Sequence, residues 1–503
     1  LGASAANTHE KGAMMSEDLM PGGLPEPPAD GAAETPSGQE NGGNEQASGH
    51  KGFSSKIGFV LAAAGSAVGL GNLWRFPYLA AKYGGGIFLL CYILLAVTFG
   101  FCLLVLEIAI GRKTGKGAIE AFTALCRKFR WFGYVCIAVP VIIVPYYCVI
   151  GGWVTRYIVA FFAGDAQLLG EGATVTTSQA FFNNYITDPW QPLLFFFIFA
   201  AVTVAVVLGG VQKGIERMSK VLMPLLAALA IFLMIYVLCQ EGAGKGVIDL
   251  FVPDFSEFTF GTLLAALGQL FYSMSLAMGI MITYGSYMKK DASLSSSARQ
   301  ISICDTLFAI IAATIIIPSI YAFSDDSSAA LSSSGPSLMF VQLPAVFNNL
   351  PGGRWIGALF FILVFFAALT SSVSLVETIV AVLRENGALK RWKACLIVFG
   401  VTLVLGSLSS LGYGPLAVIH IGNEAEGNAK YLLDMFDWFS NSVLMPLVAI
   451  GTCIIAGFFA DTNSIMDEIG LKKKISRRYF RIMIRYVAPV CMGAILVSGF
   501  LPL

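Results

Sequence analysis

Two short stretches carry residues whose types and spacing suit them to hold ions and a charged small molecule. The first reads Gly65-Ser66-Ala67-Val68-Gly69-Leu70-Gly71-Asn72, three glycines and an amide in the middle of an apolar run. The second reads Gly268-Gln269-Leu270-Phe271-Tyr272-Ser273-Met274-Ser275-Leu276-Ala277-Met278-Gly279. Each glycine in a helix interior costs about 1 kcal/mol relative to alanine, so both stretches are expected to interrupt the helices that carry them. An interruption frees backbone N–H and C=O groups, and in hydrocarbon these persist only where they line a protein cavity or bind something. Half-helix N–H groups and the helix dipole suit a carboxylate, whereas freed carbonyls suit a hard cation such as sodium. One site of this kind has the chemistry to hold an amino acid and Na⁺ side by side.

The elements that must position these residues are membrane helices. Of 503 residues, 56% are apolar and only 13% charged, and the mean hydropathy is +0.74, which places the chain outside the soluble range. Apolar stretches close to the roughly 20 residues that cross a bilayer recur about eleven times, with cores near 57–81, 86–111, 132–163, 193–209, 221–239, 260–288, 306–323, 355–383, 394–411, 432–460 and 482–503. The interrupted stretches fall in the first and sixth of them. Small residues also allow close helix packing, but one broken helix early in each five-helix half is the pattern of an inverted-repeat transporter. Basic residues crowd alternate loops: Arg112, Lys113, Lys116, Arg127, Lys128 and Arg130, then Lys213, Arg217 and Lys220, then Lys289, Lys290 and Arg299, then Arg384, Lys390, Arg391 and Lys393, then Lys472, Lys473, Lys474, Arg477 and Arg478. By the positive-inside rule these loops and the N-terminus face the cytoplasm and the C-terminus the outside.

Residues 1–52 are rich in Gly, Pro, Ala, Glu and Asn and too poor in apolar mass to fold, so a disordered cytoplasmic tail is expected, with Met14 or Met15 as candidate starts. The transporter domain then covers 53–503, with a first repeat near 56–240, a second near 258–460 and an extra helix near 480–503. The net charge of +1 points to no nucleic acid partner. The ten cysteines lack metal or disulfide spacing, and no HExxH, GxSxG or close Asp/His set suggests an enzyme.

The stretch from Gly65 to Pro77, with Tyr83-Gly84-Gly85-Gly86, Glu107, Gly111-Arg112, Tyr146-Tyr147, the sixth-run motif, Leu369-Thr370-Ser371-Ser372 and residues 434–438, closely resembles the neurotransmitter:sodium symporters. That resemblance implies the leucine-transporter fold, an all-α membrane protein of about eleven helices in a 5+5 inverted repeat with helices 1 and 6 unwound, a fold that is itself a worked case of the broken-helix rule. It implies sodium-coupled symport of a neutral, hydrophobic L-amino acid by alternating access across the inner or plasma membrane, as a monomer or weak dimer in lipid. The outer loop between Gly164 and Gln191, free of cysteine and of glycosylation acceptors, points to the bacterial branch. A channel or sensor that binds ligand on the same fold is the alternative reading.

Residue by residue, the resemblance implies a first sodium site of Ala67, Asn72, Ser273 and Asp305, completed by the substrate carboxylate. A second would use Gly65, Val68, Ala367, Thr370 and Ser371, although both hydroxyls could instead bond their own helix carbonyls. The carboxylate would lie on Leu70, Gly71 and Tyr147, and the amine near Ala67, Tyr272 and Ser275. Ile143, Ile150, Tyr272, Met278, Ser371 and Leu375 would line the side chain. Gly69 stands where monoamine carriers have an Asp, so no counter-ion meets a cationic substrate. Relatives that require chloride surround it with Tyr, Gln, Ser/Thr and Ser; Tyr92, Gln269 and Ser273 match, but Ala309 replaces the last serine. Asp305 then supplies the missing negative charge, and transport is expected to be independent of chloride. Arg75 and Asp437 look like the outer gate, bridged directly or by water, while Lys51 and Glu385 are the counterparts inside.

Overall fold

The computed structural model describes residues 52–170, 173–324, 330–331, 336–387, 389–422 and 429–500. Its membrane helices are α1 (Lys56–Ala67), α2 (Gly71–Lys82), α3 (Gly86–Thr114), α4 (Arg127–Ala163), α5 (Gln191–Leu208), α6 (Val211–Leu238), α7 (Phe260–Ser273), α8 (Ile280–Ser286), α9 (Leu294–Phe323), α10 (Gly353–Arg384), α11 (Arg391–Leu411), α12 (Leu432–Phe459) and α13 (Lys474–Ser498). Nine of these are each long and apolar enough to cross a membrane, and α1 with α2 forms a span bent by 48°. The short pair α7 and α8, in series, supplies the eleventh span among the described residues.

Both interruptions fall where glycine and serine weaken the helix. The side chain of Ser55 caps α1 by accepting from Gly58 N at 3.0 Å, and α1 ends when Val68 turns extended, at φ −75° and ψ 90°. In the sixth span, α7 begins on a reciprocal Thr259–Thr262 cap and stops at Ser273. Ser275 and Ala277 then take φ of 52° and 59°, left-handed values costing L-residues about 1–2 kcal/mol each. Glu107 on α3 helps fix this segment, its Oε1 accepting from Ala277 N at 2.7 Å. Beyond the break, α8 lies tight on α3, since a Cβ on Gly111 would come within 1.8 Å of Ile282 O and one on Gly285 within 2.4 Å of Ile108 O.

The core is built on α4 and α10, which pack along one another and each bury 78% of their apolar windows. α6 and α13 bury only 28%, so most of their apolar surface faces lipid, as a span at the rim of a bundle must.

Several boundaries differ from those read by hydropathy. α6 starts at Val211 rather than near 221, because its polar first turns find partners: Gln212 in Gly52 O, and the buried Glu216 in Ser54. α9 starts at Leu294 rather than near 306, where Ser293 caps a polar turn with Ser297, Ala298 and Ile301 buried. α13 starts at Lys474, well before 482, with Arg477 and Arg481 bonded to Asp467 and Asn463. The loops hold helices Ala118–Leu125, Val175–Thr187, Ala243–Phe251 and Thr462–Ile469, too short or too polar for a window of crossing length.

Candidate ion and substrate site

Where the two broken spans meet, a fully buried polar cluster surrounds Asp305 of α9. Asn72 Nδ2 donates to Asp305 Oδ1 at 2.8 Å and to Asp305 O at 3.2 Å. Ser273 Oγ lies 2.6 Å from Asp305 Oδ1 and 3.2 Å from Asn72 Oδ1. Tyr92 OH reaches Asp305 Oδ2 at 3.2 Å. The helix stops bring these groups together: Asn72 opens α2, and Ser273 closes α7. Gln269 Nε2 donates to Gly71 O at 3.0 Å, while its Oε1 has no hydrogen-bond partner among the described residues. An isolated carboxylate is expensive in such a place; a carboxylate with an amide, two hydroxyl oxygens and a nearby carbonyl offers a hard cation an oxygen shell.

The expected second ion group also converges, where α1 meets α10. Ser371 Oγ donates to Ser66 O at 3.0 Å and lies 3.5 Å from Gly65 O, and a Cβ on Gly65 would sit 3.3 Å from Thr370 Cβ. Val68 is the residue at which α1 ends. Thr370 Oγ1 bonds Phe366 O and Ala367 O of its own helix, at 3.1 and 3.0 Å, the arrangement of a threonine in any helix. Its lone pairs remain available on the oxygen.

Beside both groups lies a small cavity of about 30 Å³. Ala67, Gly69, Leu70, Gly71, Ile143, Tyr147, Tyr272, Ser275, Met278, Ser371 and Leu375 line it, together with Ser66, Asn72, Ser273 and Ile280, and none of these side chains is a carboxylate or an amine. Leu70 N donates to Tyr147 OH at 3.4 Å. Gly69 has no room for a side chain, since its Cβ would stand 2.6 Å from Ser371 Oγ and 3.2 Å from Tyr147 OH. Ile150 is not in this cavity. It shares the face of Ile143 and Tyr147, but seven residues along α4 carry it about 10 Å further, above Tyr272 and into a second cavity. Ser66 and Ile280 are the lining residues that sequence reasoning missed, although both abut the interrupted stretches.

That second cavity, of about 270 Å³, is walled by Arg75, Trp74, Tyr146, Ile150, Tyr272, Asp434 and Asp437 among others. Arg75 stacks over the Tyr272 ring at 5.5 Å, and Asp437 accepts from Asn441 Nδ2 at 2.7 Å. Among the described residues no ion pair joins Arg75 to Asp437, although both line this cavity.

A family model described as the sodium:neurotransmitter symporter family matches residues 50–170 and 183–502. The chain belongs to that family. It is a multi-pass membrane transporter of the sodium-dependent class, and its relatives are transporters rather than enzymes. The sodium-dependent transporter YhdH of Bacillus subtilis is 35% identical, over 88% of this chain and 95% of its own length. A sodium-dependent transporter of Methanocaldococcus jannaschii is 30% identical, over 89% of each. The crystal structure of MhsT in complex with L-phenylalanine superposes with a TM-score of 0.80 at 36% identity, covering 90% of this chain and all of that one.

At the opposite end from the Arg75 cavity the chain is tied together by contacts that the sequence reading did not foresee. Lys51, expected as an inner gate residue, lies outside the described residues. Its expected partner Glu385 accepts the N–H of Gly117, at the start of helix Ala118–Leu125. Burial pushes its carboxyl up to about 7, against the pull of that hydrogen bond, with Glu120 adding to the rise. These ties are organised around Glu377 of α10, which is fully buried and paired with Arg391 of α11. Tyr287 OH donates to Glu377 Oε1 at 2.9 Å, and Tyr287 O accepts from Phe53 N at 3.1 Å. Ser54 binds the Glu216 carboxylate through both its N–H and its hydroxyl, so residues 52–55 are strapped to α6 and to the turn after α8. The signal for Glu377 was a lone acid inside an apolar run, with its arginine 14 residues on.

Proposed function

We propose that this symporter carries a neutral, hydrophobic L-amino acid together with sodium, by alternating access and without chloride. The reading is carried by one observation: the Asp305 carboxylate stands among Asn72, Ser273 and Tyr92, next to a cavity whose lining has no charged side chain. Asp305 would supply the negative charge that a bound chloride provides elsewhere, and would sit beside the first sodium with Ala67, Asn72 and Ser273. The substrate carboxylate would complete that shell from the N–H groups of Leu70 and Gly71, so binding of either cargo favours the other. Gly65, Val68, Ala367, Thr370 and Ser371 would hold a second sodium and draw α1 onto α10. Ile143, Met278, Ile280 and Leu375 give the substrate side chain an apolar surround, in keeping with the phenylalanine bound by MhsT.

Arg75 and Asp437, with Tyr272 between the two cavities, would close one access route, and the Phe53–Tyr287–Glu377 contacts the other. Each sodium moving down 100 mV releases about 2.3 kcal/mol, and a tenfold gradient adds about 1.4 kcal/mol, enough to concentrate an amino acid.

Uptake of a panel of labelled neutral amino acids into proteoliposomes tests this reading, with a sodium gradient and with chloride replaced by gluconate. Accumulation should require sodium and ignore chloride, and Asp305→Asn should make it either chloride-dependent or lost. Sodium-insensitive equilibration, or binding without accumulation, would favour the channel or sensor reading instead.

A further inference from the structure

A third cavity, of about 430 Å³, opens between α2, α7, α12 and α13. It is larger than either space on the transport route and falls within the range of about 300–1,000 Å³ typical of small-molecule sites. Its hollow comes from one face of α7, where Gly261, Ala265 and Gly268 follow at helical spacing. A Cβ on Gly268 would meet nothing within 4 Å, so this glycine borders free space rather than a close helix contact. One wall is α13, which buries only 28% of its apolar window. The cavity therefore sits at the rim of the bundle, where acyl chains surround the protein.

Its charge is one-sided. Arg75 and Lys82 line it and no carboxylate does. Lys82 Nζ sits over the rings of Tyr78 and Tyr83, at 5.9 and 5.4 Å, and among the described residues it forms no ion pair. An apolar hollow at the lipid boundary with an uncompensated ammonium at its edge fits an amphipathic anion: the stem of such a lysine lies along apolar surface and its head seeks the interface.

We propose that this cavity binds one anionic membrane phospholipid, with an acyl chain in the hollow at Gly268 and the phosphate at Lys82. Arg75, Tyr272 and Asn441 line both this cavity and the one above the candidate substrate site. A lipid seated there touches the same side chains that face the substrate route, which makes the surrounding bilayer a participant in their placement.

The test is lipid retention by the full-length protein in detergent, read by native mass spectrometry after incubation with phosphatidylglycerol or phosphatidylcholine. Wild type should retain one phosphatidylglycerol, preferred over phosphatidylcholine by about fivefold, the worth of one interfacial basic residue. Gly268→Leu should fill the hollow and abolish retention with an unchanged or raised Tm, because leucine is the better helix former. Lys82→Gln should keep the acyl contact and lose the preference between headgroups. Equal retention by wild type and Gly268→Leu, no preference in wild type, or recovery of free fatty acid alone would overturn the proposal. None of these readouts needs transport, so the proposal can fail while the transport reading stands, and the reverse.

Discussion

Gly69 is a residue whose smallness the central cavity depends on. A methyl group there would press on Ser371 Oγ at 2.6 Å and on Tyr147 OH at 3.2 Å, and overpacking of this kind costs about 1–3 kcal/mol. Gly69→Ala should therefore weaken sodium-dependent amino acid binding by about tenfold or more, with a modest fall in Tm, measured by titration and thermal melting of the purified protein. The types and spacing of residues 65–72 made this site legible in sequence because a second interrupted stretch recurs in the sixth span, a pairing that helix packing by small residues alone does not call for. What sequence could not show was depth: Ile150 lies on the right face of α4 but too far along it, and nothing in a periodic pattern says where a cavity ends.

At the scale of elements, the same chain that breaks two helices must brace the ends of the others. Glu377 and Arg391 bind α10 to α11, and Arg391 Nε also donates to Val207 O of α5 at 2.7 Å. Removing one member of a buried pair leaves the other uncompensated, at a cost of about 3–5 kcal/mol. Glu377→Leu should lower the Tm sharply, whereas Glu377→Leu with Arg391→Leu should recover much of the loss; equal losses in the single and double variants would mean that the pair is not the brace. Such pairs escape hydropathy because each member alone looks like noise within, or at the edge of, an apolar run. The residue 52–55 strap was hidden for a similar reason. Its anchors are the Glu216 carboxylate on α6 and the Tyr287 carbonyl, partners more than 160 residues away, and Glu216→Ala should expose Ser54 to proteolysis faster than it lowers the Tm.

For the molecule as a whole, one group outside the spans ties stability to pH. Glu385 has a carboxyl pushed up from an ordinary 4.5 to about 7, chiefly by burial. A raised folded value means that its contribution is complete below about pH 4.5 and is lost as the pH rises through about 7. Tm should decline over that window, and Glu385→Gln should flatten the decline; an unchanged slope would mean that other groups dominate. The eleven spans could be read from composition and run length alone, since the bilayer imposes both. The starts of α6, α9 and α13 could not, because their polar first turns are buried by other parts of the chain or bonded at the interface. The central cavity takes its polar lining from the interrupted stretches together with Tyr147 and Ser371, whereas Ile143, Met278, Ile280 and Leu375 supply apolar wall. On the proposed reading, heritable change can exchange one cargo for another through a few apolar substitutions while the Asp305 side-chain cluster and the two helix breaks pass unaltered from ancestor to descendant.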